Sequence, residues 1–180
     1  KESLKFPLAW ENSSIKNYEE WQKEARAITL SCMMTPPPKT DFDPKIISRE
    51  KKDGYETQKL VLNISSYCRI PAYLLIPEGK GPFPAILLMH DHGARYSIGK
   101  EKVVEPIDVS KEIYDDAKSW IGQYYDGHWV GDDYAKQGYV VLAIDALFWG
   151  ERGRKEGVLN EAQEILAVNL LQMGMTFSGI

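Results

Sequence analysis

The hydrophobic pattern of this sequence contains two short apolar runs that end abruptly in polar residues. Residues 84–89 run into His90-Asp91-His92-Gly93, and residues 139–144 run into Asp145. Apolar runs without polar alternation are typical of strands covered on both faces, as in a parallel sheet flanked by helices. Ligands of such sheets bind outside the carboxyl ends of the strands. We therefore expect two buried, parallel strands, and a site at the sheet edge where His92 and Asp145 lie.

Other segments have helical periodicity. Apolar residues at three- and four-residue steps predict an amphipathic helix over residues 17–34, which Pro36-Pro37-Pro38 stops. Similar spacing predicts a short helix over residues 128–137 and a last helix from about 158 to 173. Residues 94–127 form an unusually long connection, and loops of that length are functional or mobile in most proteins.

Residues 57–64 and 70–76 alternate partly between apolar and polar positions, which predicts a pair of strands. The four-residue link between them suits antiparallel pairing. A Pro-rich connector precedes the pair, and we expect a turn between 46 and 54. We divide the chain into residues 1–45, a helix and connector packed on the core, and residues 46–180, one α/β domain.

Composition and charge narrow the classes of function. The 180 residues are 43% hydrophobic, enough for one domain with a packed core. The net charge of −4 gives no electrostatic footprint for nucleic acid, and no apolar run reaches the roughly 20 residues that span a bilayer. The chain begins with Lys1 rather than Met, which is compatible with a leader removed either in the cell or in the design of the expressed protein. The sequence does not settle the localisation, and our expectation leans towards an exported protein, periplasmic or secreted. We expect Cys32 and Cys68 to be small core residues, with a disulfide as the alternative.

Three segments together resemble the amino-terminal half of an α/β-hydrolase. They are Ile-Pro-Ala-Tyr-Leu-Leu-Ile-Pro at residues 70–77, Pro-Ala-Ile-Leu-Leu-Met-His-Asp-His-Gly at 84–93 and Gly-Tyr-Val-Val-Leu-Ala-Ile-Asp at 138–145. The chain is most similar to the acetyl xylan esterase-like and dienelactone hydrolase-like group, over about residues 18–180. The resemblance implies an α/β-hydrolase fold, with a mostly parallel sheet and an antiparallel amino-terminal strand pair. It also implies that the fold is incomplete in this chain and that residues 46–180 are its amino-terminal part.

Hydrolases of this fold carry their nucleophile in a strained Gly-x-Ser-x-Gly turn, which this sequence lacks. Ser178 is the nearest candidate, but it has no first glycine and follows a helical pattern, so we interpret it as a helix serine. The resemblance places the nucleophile, the acid and the catalytic histidine beyond Ile180. We therefore expect the 180-residue chain alone to be inactive and the parent protein to be a serine-type esterase.

The resemblance implies that this chain contributes to the oxyanion hole, which stabilises the negative charge formed during ester cleavage. One of its backbone N–H donors comes from the loop after the third strand of the fold, which His90-Asp91-His92-Gly93 occupies. The N–H of His92 is the first choice, and that of Gly93 or Ala94 the second. We expect His90 to hold the loop through side-chain hydrogen bonds. Arg95 is either a contact for an anionic substrate or a solvated loop residue.

Two clusters invite other interpretations. The two histidines around Asp91 offer too few ligands for a metal site, because His128 is distant in sequence, so we assign them a structural role. Asp145, Glu151 and Arg152 predict an ion-pair staple in which Arg152 binds a carboxylate. The late aromatic residues either stack on sugar rings or pack in the core. They are Trp120, Tyr124, Tyr125, Trp129 and Trp149, and we take Trp149 as a substrate contact.

The resemblance implies a carboxylic ester hydrolase, acetyl esterase-like and acting on small-molecule or carbohydrate esters through an acyl-enzyme. The alternative is a non-catalytic binding or interaction domain derived from the same fold. We expect no cofactor, metal ion, nucleic acid or membrane span. Because the topology of the resembled fold would place strand 85–89 at a sheet edge, we also expect the chain to need its missing carboxyl-terminal half or to self-associate.

Overall fold

The computed structural model describes residues 6–153 and 160–176. Its strands are β1 (Lys45–Lys52), β2 (Tyr55–Ser65), β3 (Cys68–Pro77), β4 (Ala85–Met89) and β5 (Val140–Ile144). Its α-helices are α1 (Tyr18–Cys32), α2 (Lys111–Tyr124), α3 (Val130–Lys136) and α4 (Asn160–Gln172), and two short 3-10 helices span Lys100–Lys102 and Gly150–Arg152. The chain forms two compact units, one of residues up to Pro37 with those from Glu161, and one of Pro38–Asn160. No helix in the described ranges is long and apolar enough to cross a bilayer.

The larger unit is built on one mixed sheet in the order β1-β2-β3-β5-β4. β4 and β5 pair in parallel, with Ala85 opposite Val140 and Met89 opposite Ile144, as predicted. The other three pairs are antiparallel, so the described sheet is mostly antiparallel and not mostly parallel as expected, and they include the predicted β2–β3 hairpin. Because side chains alternate across a strand, β3 directs Tyr73 to one buried cluster and Ala72 to another on the opposite face.

The predicted burial of β4 on both faces is wrong. Leu88 packs against the main core, but Leu87 is 61% exposed and Met89 60% exposed. Among the described residues β4 pairs with β5 alone and is the last strand of the sheet, as we expected from its edge position. Its second face therefore has no covering layer in this part of the chain.

We expected a turn at residues 46–54, but most of this segment belongs to the strand β1. β1 pairs with β2 and carries mostly exposed side chains, with a register shift between Ile46 and Ser48. Charged residues in such a strand suit a sheet edge, because they discourage pairing with another chain. The same charges break the apolar alternation that identifies a strand in a sequence.

The expectation of a long loop over residues 94–127 is also wrong, because this segment contains the 14-residue helix α2. The Oγ of Ser110 caps the helix by accepting a hydrogen bond from the N–H of Ile113 at 3.4 Å. Ala117 and Trp120 on α2 pack with Ile98 in a separate buried cluster. The helical spacing of these residues was present in the sequence, but the surrounding polar and aromatic residues obscured it.

The helix expected at 128–137 is confirmed as α3, and Gly138 follows it with φ +92°, a conformation that favours glycine at a helix end. The helix expected at 17–34 is confirmed as α1, and Oδ1 of Asn17 accepts from the N–H of Glu20 at 3.0 Å. The last helix is confirmed as α4. The proposed helical positions Val158, Leu159 and Ser178 lie outside the described residues.

Both cysteines are free, so the alternative of a disulfide is wrong. Cys32 is exposed on α1 and is not the core residue that we expected, whereas Cys68 is partly buried in β3. Cys32 ends a helix in which no residue is fully buried. Helical periodicity therefore predicted the helix correctly but overestimated the burial of its apolar side.

Candidate active site

The predicted meeting of the two strand ends is confirmed by hydrogen bonds between the segments that follow β4 and β5. The N–H of Ala146 donates to Nε2 of His90 at 3.0 Å, and the indole N–H of Trp149 donates to the carbonyl of His92 at 3.1 Å. Because Nε2 accepts, the ring proton of His90 is on Nδ1, from which it donates to the carbonyl of Asp91 at 2.7 Å. His90 therefore holds the loop, as expected, and burial lowers its pKa below the usual value of 6.5.

The side chain of Asp91 ties the same loop to the end of α2. Its Oδ2 accepts from the hydroxyl of Tyr125 at 2.6 Å and from Nε1 of Trp120 at 3.3 Å. Burial alone would raise the pKa of Asp91, but the Tyr125 hydrogen bond and the charge of Lys102 outweigh it and lower that pKa. Asp91 is thus an ionised anchor whose hydrogen bonds fix the loop.

Lys102, which the sequence did not single out, lies behind the loop with its side chain fully buried. Its Nζ donates to the carbonyl oxygens of His92 at 3.0 Å and Asp91 at 3.2 Å. The same ammonium lies 4.8 Å from the ring centroid of Trp120 and 3.7 Å from Oδ1 of Asp91. Burial lowers the pKa of Lys102, although the Asp91 charge opposes this. One ammonium therefore contacts two consecutive peptide groups of the loop.

These contacts determine where two backbone N–H groups point. In a trans peptide the N–H points opposite to the C=O, so the N–H groups of His92 and Gly93 are directed away from Lys102. Neither of them donates a hydrogen bond to any residue in the ranges 6–153 and 160–176. Both residues are exposed. The N–H of Ala94 instead donates to Nδ1 of His92 at 3.3 Å, which makes Ala94 the weakest of the three candidates.

Gly93 fits this loop for a steric reason as well as a conformational one. Its φ is +47°, in the left-handed region that favours glycine, and Ala94 follows with φ +52°. A Cβ at Gly93 would overlap the ring of Trp120 and lie 2.6 Å from Oδ1 of Asp91. The backbone can therefore approach Trp120 only because this residue has no side chain.

An open pocket is lined in part by Gly93. Its volume is about 400 Å³, and its walls are Asp91, Gly93, Trp120, Tyr124 and Tyr125. The rings of Trp120 and Tyr124 have centroids 4.3 Å apart. The arrangement combines a glycine whose backbone N–H has no partner among the described residues with an aromatic wall, which suits a small polar group attached to a ring or an apolar body.

The two proposed substrate contacts both have partners within the protein. Trp149 is 8% exposed and packs against the rings of His92 and Tyr96 at centroid distances of 4.9 and 4.7 Å. The Nε of Arg95 lies 2.8 Å from Oδ1 of Asp116 on α2. In the described chain, therefore, Trp149 supports the loop from inside and Arg95 forms an exposed ion pair.

The ion-pair staple expected after β5 is present, but its cation is Lys100 and not Arg152. Nζ of Lys100 lies 2.9 Å from Oδ2 of Asp145 and 2.7 Å from Oε2 of Glu151. Arg152 instead donates from Nη1 to the backbone carbonyl of Asp145 at 2.9 Å. The three carboxylates of Glu101, Asp145 and Glu151 could hold a metal ion by their spacing, since one oxygen of each lies within 4.8 Å of the others. The Lys100 ammonium lies among them and supplies the neutralising charge itself.

Comparison with known proteins agrees with this fold. A sequence model of the Abhydrolase family matches residues 3–180. The Bacillus subtilis (strain 168) protein YtaP, named as a hydrolase, is 29% identical over 128 residues, which are 70% of this chain and 37% of YtaP. The structure of a Bacteroides fragilis NCTC 9343 protein assigned as an acetyl xylan esterase aligns with a TM-score of 0.64 and 24% identity, covering 90% of this chain and 40% of that one. The chain thus spans about two fifths of the length of these relatives. The chain belongs to the Abhydrolase family and has the α/β-hydrolase fold.

Proposed function

We propose that this chain supplies the oxyanion-binding loop of a carboxylic ester hydrolase that works through an acyl-enzyme. The observation that carries the proposal is the pair of backbone N–H groups of the exposed residues His92 and Gly93, which have no hydrogen-bond partner among the described residues. Preorganised donors of this kind stabilise the negative charge that develops on an ester carbonyl oxygen. The family to which the chain belongs supports the same reaction class.

The reaction requires a nucleophile from a part of the protein outside the described residues. Its hydroxyl oxygen attacks the ester carbonyl carbon while a base takes the hydroxyl proton, and the π electron pair moves onto the carbonyl oxygen. The N–H groups of His92 and Gly93 donate to that oxyanion. The carbonyl then re-forms as the C–O bond to the alcohol breaks, the alcohol takes the proton, and water later releases the acid by the same two steps. Removing a single oxyanion donor costs about 10²–10³-fold in kcat.

The substrate class that we propose is an acetyl ester carried on a carbohydrate. The aromatic wall, Trp120 and Tyr124, lines the same pocket as Gly93 and offers ring faces of the kind on which sugars stack. The assignment of the Bacteroides fragilis structure as an acetyl xylan esterase also supports this class. Trp149 contributes by holding the His92 carbonyl, because its ring is buried.

The test is ester hydrolysis by the whole protein, with 4-nitrophenyl acetate and an acetylated xylan oligosaccharide as substrates. We expect turnover above background for both, and none from residues 1–180 alone, because no Gly-x-Ser-x-Gly turn occurs in this sequence. If the whole protein bound acetylated sugars without hydrolysing either ester, the alternative of a binding or interaction domain would replace this proposal.

A further inference from the structure

We propose that Lys102 is a positioning residue of this site, whose buried ammonium both aims and polarises the two peptide groups that bind the oxyanion. The effect of Lys102 on catalysis depends on the proposed function. The polarisation of the peptide groups 91–92 and 92–93 by Lys102 can be measured without any substrate.

The contacts to the loop carbonyls follow a pattern. The carbonyl of Asp91 accepts from Nδ1 of His90 at 2.7 Å, and the carbonyl of His92 accepts from the indole N–H of Trp149 at 3.1 Å. Each carbonyl thus has one neutral donor of its own. Lys102 is the donor that both share, at 3.2 and 3.0 Å. Beside these neutral donors, the ammonium contributes a further hydrogen bond and a positive charge to each carbonyl.

A positive charge at the oxygen end of a peptide changes its other end. It draws electron density toward the oxygen, which makes the N–H more acidic and a stronger donor, because hydrogen bonds in a chain polarise one another. The N–H groups of His92 and Gly93 belong to the two peptides that Lys102 contacts. The charge of Lys102 therefore reaches a bound oxyanion through the peptides, although the ammonium itself lies behind the loop.

Stability alone does not account for a lysine at this position. A buried ammonium is costly unless it is well paired, and apolar replacements of buried ion pairs are often neutral or stabilising. The nearest carboxylate oxygen, Oδ1 of Asp91, lies 3.7 Å away, and the other contacts within the described residues are the two carbonyls and the rings of Trp120 and Trp149. A methionine would fill the same space beside Trp120 and Trp149. We infer that the charge is retained for its effect on the loop.

The first experiment measures amide hydrogen exchange of His92 and Gly93 in the wild-type protein and in Lys102→Met. Base-catalysed exchange of an exposed N–H follows its acidity, and the ammonium stabilises the deprotonated peptide, whose charge lies largely on oxygen. We expect exchange of both amides to slow on the order of tenfold in Lys102→Met, which corresponds to about one pKa unit. Loss of a merely structural contact would loosen the loop and leave exchange equal or faster, and that result would overturn the proposal.

The second experiment measures hydrolysis of 4-nitrophenyl acetate by the whole protein. We expect Lys102→Met to lower kcat about 10–100-fold with KM within about twofold, and to weaken binding of an arylboronic acid, a tetrahedral anion mimic, by the same factor as kcat. Lys111→Met is the matched control and should behave as wild type, since Lys111 is exposed on α2 and pairs with Asp115. An unchanged kcat in Lys102→Met, or a rise of KM equal to the fall of kcat, would overturn the inference.

A second variant covers the case in which Lys102→Met does not fold, and the exchange experiment distinguishes failure of this inference from failure of the proposed function. If Lys102→Met does not fold, Lys102→Gln keeps a neutral donor on a shorter side chain, and the proposal expects it to slow exchange and lower kcat in the same direction. Wild-type exchange and kcat in Lys102→Gln would then overturn it. If the wild-type protein hydrolyses no ester, the proposed function fails, while the exchange experiment still decides whether Lys102 polarises the loop.

Discussion

Nζ of Lys100 lies 2.9 Å from Oδ2 of Asp145, and both side chains are completely buried. Oε1 of Glu101, also buried, lies 2.8 Å from the same ammonium. Burial alone would lower the pKa of Lys100, but the surrounding carboxylates raise it above its usual value. The ammonium is therefore the charge that allows two buried carboxylates to remain beside the loops of the candidate site.

Replacing Lys100 with Met should destabilise the protein strongly. The substitution leaves Asp145 and Glu101 buried without their cation, and removing one partner of a buried ion pair costs about 3–5 kcal/mol. Urea denaturation followed by circular dichroism measures the free energy of unfolding. Lys111→Met, which removes an exposed lysine of the same length, should change it by less than about 0.5 kcal/mol. Similar stabilities for the two variants would show that the buried cluster is unimportant.

Replacing Gly93 with Ala should damage the site. The new Cβ meets the Trp120 ring, and the φ of +47° is unfavourable for alanine, so both the loop and its N–H groups must move. We expect kcat for ester hydrolysis by the whole protein to fall at least about 100-fold, as for loss of an oxyanion donor. Gly122→Ala is the control, because a Cβ at Gly122 on α2 meets open space. That variant should keep full activity and gain up to about 1 kcal/mol of stability. Equal activity of both variants would contradict the role of the loop.

The stability of the protein should fall as the pH is lowered below 6.5, and His90 should account for part of the fall. The folded pKa of His90 is lowered by burial, so the unfolded chain takes up the proton first as the pH falls. The contribution is complete above the unfolded pKa and decreases until the pH reaches the lower, folded value. Urea denaturation at pH 7.5 and 5.5 measures the difference in the free energy of unfolding between the two pH values. We expect this difference to be smaller in His90→Asn than in the wild-type protein.

The exposed face of β4 should make residues 1–180 self-associate when they are produced alone. Leu87 and Met89 present apolar side chains next to unpaired strand N–H and C=O groups, which favour pairing with another chain. We expect concentration-dependent association in sedimentation velocity and binding of a hydrophobic dye. Leu87→Lys should reduce both, whereas Tyr67→Lys, at an exposed aromatic residue in the β2–β3 turn, should reduce neither. A monodisperse chain without dye binding would contradict this prediction.

Local patterns in the sequence determined much of this structure. The period-two alternation of β2 and β3, the apolar runs of β4 and β5, and the helical spacing of α1 can each be recognised within about ten residues, because each burial pattern repeats at its own period. The apolar runs of β4 and β5 also predicted the position of the candidate site, because parallel strands bring His92 and Asp145 to one edge of the sheet. The glycine at position 93 was recognisable as part of that loop, although its contact with Trp120 was not.

Only the tertiary structure decided which charges lie behind the site. Lys100 reaches Asp145 across 45 positions, and Lys102 reaches the His92 carbonyl across ten, through a 3-10 helix in a segment that had the appearance of a loop. A lysine in sequence carries no sign that it will be buried, because burial depends on partners that the fold brings from elsewhere. The exposure of Leu87 has the same origin, since an apolar run shows what a strand can bury and the neighbouring layers decide whether it is buried.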